Sequence, residues 1–173
     1  MNATHAPSVP VFRADSPVGS LLLTEHQGRL AGLWFGENSE AIDVKSCGKA
    51  LPPIIAQTCA WLEGYFAGRI EPLPPLSAQG SPFCHEVWEI LRAIPYGATT
   101  TYGAIAERIA RQRGIAKMSA QAVGGAVARN PIAILVPCHR VIGANGTLTG
   151  YAGGIDKKAA LLRWEREHVS GAL

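Results

Sequence analysis

The chain has 173 residues, 47% of them apolar, and a net charge of +3, which suits one domain or two small ones sharing a core. No run approaches the ~20 apolar residues of a membrane span, and no basic start followed by an apolar stretch marks a secretory leader. Cys47, Cys59, Cys84 and Cys138 form no Cys-x-x-Cys pair, which argues against a zinc knuckle or a disulfide framework and for a reduced, cytoplasmic setting.

Residues 9–15, 20–26 and 30–35 read as three short strands, with Ser16-Pro-Val-Gly19 and Gln27-Gly28 as turns. Residues 36–50 are polar and unpatterned. Pro53 can open a helix whose Ile54, Thr58, Trp61, Leu62 and Tyr65 share a face before Gly68. This part carries no catalytic constellation. The proline-rich stretch 71–76 is stiff and marks a boundary, giving an N-terminal α/β unit over 1–78 and a second unit over 79–173. The charge changes sign close by: residues 1–81 hold 5 Lys/Arg against 7 Asp/Glu, and residues 82–173 hold 11 against 6.

Ser81 can cap a helix with Pro82 in its first turn, burying Phe83, Val87, Ile90 and Leu91 with Trp88 at the margin. Thr101 can cap a second helix over 102–110, followed by a basic connection over 111–117. Ser119 can cap a third over 120–130, whose interior carries Gly124-Gly125. Each interior glycine costs a helix roughly 1 kcal/mol relative to alanine. Two together mean either tight helix packing or a helix face that something must approach closely. Two helices joined by a short turn, amid six basic residues and one acid over 101–140, suit a helix-turn-helix and a polyanionic partner.

Pro131 stops the third helix, and 132–136 (Ile-Ala-Ile-Leu-Val) reads as a buried strand ended by Pro137. Cys138, His139 and Arg140 follow at its mouth. A cysteine there is either one more buried apolar residue or a thiol made reactive by its neighbours. Five glycines then surround Tyr151 within 143–154, in no phosphate-cradling pattern, and a helix over 157–168 places Glu165 in its last turns.

Tyr102, Ala122-Val-Gly-Gly-Ala126, Asn130-Pro131, Pro137-Cys-His-Arg-Val141, Gly150-Tyr-Ala-Gly-Gly154 and Leu161-Leu-Arg-Trp-Glu165 occur in order, and together they resemble the O6-alkylguanine-DNA alkyltransferases. The resemblance is dense over about 80–168. It implies an α+β fold, a small strand-and-helix unit followed by a mostly helical DNA-binding domain. It also implies direct-reversal repair: the alkyl group of O6-alkylguanine, and of O4-alkylthymine, passes once and irreversibly to Cys138 with no cofactor or metal. His139 would take the thiol proton through a water, with Glu165 orienting it. Asn130 would hold the turn, and Tyr102 would protonate the departing base. Val141, Tyr151, Ala152 and Gly153 would line the pocket. Gln121, Ala122, Gly124, Gly125, Arg129 and Arg140 would meet double-stranded alkylated DNA through its minor groove, with the base flipped out and the protein a monomer. At Gln121 the family usually has an arginine; glutamine brings no charge and less reach. A lesion sensor and a cysteine hydrolase are the alternatives from other classes.

Overall fold

The structure, a computed structural model, describes residues 9–169. Strands β1 (Phe12–Ala14), β2 (Leu21–His26), β3 (Arg29–Phe35) and β4 (Ile42–Asp43) form a sheet in the order β3-β2-β1-β4, antiparallel except for β1 with β4. β4 lies in the stretch that reads as unpatterned: it is two residues long, is held to β1 by backbone pairing (Ile42 N donates to Val11 O at 2.8 Å), and carries an Arg13–Asp43 ion pair at 2.8 Å rather than apolar alternation. Helix α1 (Pro53–Phe66) lies against β2 and β3 and buries Ile54, Ile55, Leu62 and Tyr65.

The stretch after α1 is not a free linker. Leu30 donates to the Pro75 carbonyl at 2.9 Å and Ser77 donates to the Leu30 carbonyl at 2.8 Å, so it covers part of the outer edge of β3. Farther along that edge, Leu33 donates to Pro131 O at 2.9 Å and Ala133 donates to Leu33 O at 2.8 Å. An exposed strand edge is thereby closed, and the sheet is tied to the segment that leads to Cys138.

Helices α2 (Pro82–Arg92), α3 (Tyr102–Arg113) and α4 (Ala120–Ala128) begin where their capping residues stand. The hydroxyls of Ser81, Thr101 and Ser119 accept from the amides of Cys84, Ala104 and Ala122 at 3.1–3.2 Å, supplying partners that a helix start lacks. α3 runs three residues past the expected end and stops at Gly114, whose left-handed conformation (φ 65°) glycine adopts without cost. α4 stops two residues early, at Ala128.

Trp88 is buried instead of marginal; its indole donates to Ala126 O at 2.9 Å and so pins α2 to α4. Short strands β5 (Thr100–Thr101) and β6 (Val141–Ile142) pair in parallel, and helix α5 (Ile155–Val169) closes the fold. One apolar cluster runs from Phe12 to Leu161 across both parts of the chain. Among the described residues no helix is long and apolar enough to cross a membrane.

Candidate active site

Residues 132–136 do not form a strand. Ile132 bridges Leu33, and the chain then turns through Ile134 at φ 67°. A β-branched residue in that region costs on the order of 1–3 kcal/mol, so the surroundings must hold it there. Asn130 does much of this. Its Oδ1 accepts from Ile132 N at 3.1 Å, while its Nδ2 donates to Val136 O at 2.8 Å and Cys138 Sγ at 3.1 Å, with Ile132 O at 3.3 Å. One side chain thus supplies hydrogen bonds that a neighbouring strand would otherwise give. An apolar run signals burial but cannot separate a buried strand from a buried turn.

Cys138–Arg140 make one 3-10 turn, and all three residues are buried. Cys138 Sγ faces a cavity of about 270 Å³ bounded by Asn130, Ala133, Tyr151, Ala152 and Gly153, with Phe35 from the sheet on another side. Val141, an expected wall residue, does not line it: its side chain is wholly buried in the core and its backbone pairs with Thr100. Tyr102 lies nearby at the start of α3, half-buried, with its hydroxyl donating to Thr149 O at 3.1 Å.

Behind the cysteine, His139 and Glu165 are both fully buried, with His139 Nε2 2.7 Å from Glu165 Oε1. Arg140 is the clearest correction. It is not presented to a polyanion: Nε and Nη2 grip the Glu165 carboxylate at 2.8–3.1 Å, and Nη1 donates to Ile94 O at 2.6 Å. Gly97 N donates to Glu165 Oε2 at 2.9 Å. Burial pushes the Glu165 carboxyl up, but the bonds and charges of His139 and Arg140 outweigh it and hold the carboxyl at about 2.

The proton inventory follows. Burial lowers the His139 pKa against the pull of Glu165, so the imidazole is neutral near pH 7. With Nε2–H turned to the carboxylate, Nδ1 carries the lone pair, and Nδ1 is buried with no protein partner. Burial raises the Cys138 thiol, opposed by the Asn130 bond and by the positive charge of Lys158. The thiol is therefore not a thiolate awaiting substrate; it needs a base, and a neutral imidazole adjoins it in sequence.

Lys158 escapes the sequence reading. It is fully buried, its Nζ donates to Thr149 O at 2.8 Å, and it lies 6.0 Å from the Tyr102 ring centre. Its signal is in the spacing: Lys158, Leu161 and Glu165 fall on one face of α5, and all three are buried. Tyr65 escapes too, since a tyrosine in an apolar stripe reads as core; its hydroxyl reaches Glu165 Oε1 at 2.7 Å.

On α4, Gln121, Ala122 and Arg129 are exposed and Gly124 and Gly125 half-buried. A Cβ at Gly124 would make only ordinary contact with the Tyr102 ring at 3.8 Å, and one at Gly125 would meet the flexible end of Arg129 at 3.3 Å. Tight helix packing does not require these glycines. They leave the outer side of α4 low, as close approach from outside demands. No cluster of three or more His, Cys, Asp or Glu among the described residues is placed to hold a metal ion.

The fold and site together define a cysteine-centred protein on a helix-turn-helix scaffold, with a neutral histidine held by a buried carboxylate. Residues 82–167 match the model of the 6-O-methylguanine DNA methyltransferase DNA-binding domain. The methylated-DNA–protein-cysteine methyltransferase of Methanosarcina acetivorans is 42% identical over 152 residues, covering 87% of this chain and 94% of that one. That of Mycolicibacterium paratuberculosis is 42% identical over 160 residues, covering 92% and 93%. The crystal structure of Mycobacterium tuberculosis OGT in complex with DNA superposes with a TM-score of 0.74 at 41% identity, covering 92% and 94%. The chain belongs to the methylated-DNA–protein-cysteine methyltransferase family.

Proposed function

We propose that this protein reverses O6-alkylguanine and O4-alkylthymine damage in double-stranded DNA by moving the alkyl group onto Cys138, once per molecule, in the cytoplasm. The observation that carries this reading is a thiol at a cavity, bonded by Asn130 and followed directly by a neutral His139 that Glu165 holds. His139 takes the thiol proton through a bridging water, while Lys158 and the Asn130 amide steady the sulfur's negative charge. The thiolate attacks the alkyl carbon in line. The S–C bond forms as the C–O6 bond breaks, and the electron pair stays on the base. Tyr102 gives a proton to a ring nitrogen of the departing guanine; burial keeps its hydroxyl protonated. The thiol proton returns to Tyr102 by way of His139 and solvent. The thioether does not hydrolyse, so the molecule is used up.

The lesion reaches Cys138 only after leaving the stack. The exposed face of α4 (Gln121, Ala122, Arg129, with Gly124 and Gly125) enters the minor groove, and Gln121 stands where the flipped base was. Residues 1–78 and 79–173 work as one unit on a monomer, because the first part bounds the cavity through Phe35. The test is an intact mass after incubation with an O6-methylguanine duplex, followed by peptide mapping. A methyl fixed on Cys138 is expected. No adduct would mean lesion sensing, and released product with unmodified protein would mean hydrolysis.

A further inference from the structure

The N-terminal helix α1 contributes a side chain to the His139–Glu165 pair. Tyr65 sits 100 positions before Glu165, is 3% exposed, and donates its hydroxyl to Glu165 Oε1 at 2.7 Å, the oxygen that also meets His139 Nε2. The same hydroxyl lies 3.5 Å from His139 Nε2. Its ring is clamped by Trp61 (centroids 5.6 Å, stacked) and edge-on by Phe66 at 4.9 Å and Tyr96 at 5.3 Å, so the hydroxyl has little freedom to leave. We propose that Tyr65 is a positioning residue for alkyl transfer: through Glu165 it fixes His139 and sets how strongly the carboxylate holds the imidazole proton.

The proposal rests on the reading of Cys138 as acceptor and His139 as its base. Oε1 accepts from three sides: Tyr65, His139 and Arg140. Hydrogen bonds from a neutral phenol and a guanidinium spread the carboxylate's charge and weaken its pull on an imidazolium. The ionisable groups facing this pair are Tyr65 from α1, Tyr96 from the loop after α2, Cys138 and Arg140 from the turn, Tyr151 from the glycine-rich loop, and Lys158 from α5. Of these, Tyr65 is the uncharged donor on the shared oxygen. Tyr65→Phe keeps the ring and its packing. It leaves Oε1 more negative toward His139, so the imidazole is protonated more readily and is lost as a base at a higher pH.

The experiment is the single-turnover rate of methyl transfer from an O6-methylguanine duplex, followed against pH. Tyr65→Phe should move the acid limb up by about one pH unit, which is about tenfold in rate on that limb, with a smaller loss at high pH. Replacing Tyr65 with 3-fluorotyrosine, a stronger donor of nearly the same shape, should move the limb down. A uniform rate loss with an unmoved limb in both variants would overturn the proposal and leave Tyr65 as packing. If Tyr65→Phe is too unstable to assay, the fluorotyrosine shift alone decides. Failure of the underlying reading looks different: the unmodified protein would place no methyl on Cys138 at any pH.

Discussion

Arg140 and Glu165 form a forked ion pair inside the protein, with Nε bridging both carboxylate oxygens at 3.0 and 3.1 Å and Nη2 on Oε1 at 2.8 Å. The planar guanidinium matches a carboxylate in a way an ammonium cannot. Removing one partner leaves the other buried and uncompensated, which costs about 3–5 kcal/mol. Arg140→Ala should therefore lower the urea midpoint strongly while leaving the salt dependence of DNA binding unchanged. A lost phosphate contact without lost stability would contradict this arrangement. The pH dependence has a defined sign. Glu165 near 2 in the folded protein, against a usual value near 4.5, contributes stability that is present above about pH 4.5 and lost as pH falls toward 2. His139, lowered by burial, works in the same direction and begins to erode stability as pH falls below about 6.5. Glu165→Gln should flatten the acid limb of the stability curve.

The assignment of the acceptor is tested by replacing each thiol. Cys138→Ala should abolish methyl transfer and keep DNA binding. Cys47, Cys59 and Cys84 to Ser should each retain transfer. Cys59 illustrates the contrast: burial, with the negative charge of Glu63 nearby, pushes its thiol to about 11 and disfavours the thiolate. Peptide mapping that finds the methyl on any of these three would overturn the assignment.

The parts of this fold that were legible in the sequence are those set by local chemistry. Ser81, Thr101 and Ser119 announce three helix starts, because a capping hydroxyl acts within three residues. The path from 131 to 137 was not legible as a turn, since its hydrogen bonds come from the side chain of Asn130 rather than from a patterned partner. Arg140 reads as a surface charge until Glu165, 25 residues later, is placed beside it. Lys158 was missed: the 158/161/165 spacing puts it on the buried face of α5, but a lysine there invites the expectation that it is exposed. Tyr65 was legible as a buried residue of α1 but not in its role, which depends on a partner 100 residues away.

Gln121 is exposed in the first turn of α4 and stands at the position where the family usually has arginine. A neutral amide carries no charge to draw duplex phosphates and reaches less far than a guanidinium. Gln121→Arg should speed single-turnover repair in duplex DNA several-fold and change the rate on free O6-methylguanine base little. Equal acceleration on both substrates would show that base extrusion is not what glutamine limits.

Arg111 and Arg129 are exposed on the helix-turn-helix face. Duplex affinity should fall with rising salt with a slope of about −0.9 per phosphate neutralised, and each Arg→Ala should reduce that slope by about one. Titrations at several salt concentrations measure it directly. A slope that neither substitution changes would remove both residues from the DNA contact.

Adduct size is governed by the walls around Cys138. Ala133 and Ala152 both border the cavity, so two of its walls carry only a methyl group. Overpacking of a tight site costs typically about 1–3 kcal/mol, so larger residues here should slow bulky adducts by about one to two orders of magnitude. The protein should accordingly repair ethyl- and butyl-guanine at rates comparable to methyl. The choice of substitution matters. Ala133→Pro narrows the cavity but also deletes the amide that donates to Leu33 O at 2.8 Å, loosening the tie between the sheet and the active-site turn. It should slow all three substrates somewhat and the longer ones most. Ala152→Val leaves that tie intact and should slow butyl selectively while sparing methyl. Single-turnover rates for the three duplexes with both variants separate the effects. If Ala152→Val slows methyl and butyl alike, the 150–153 loop acts through its backbone and the cavity walls do not set the size limit.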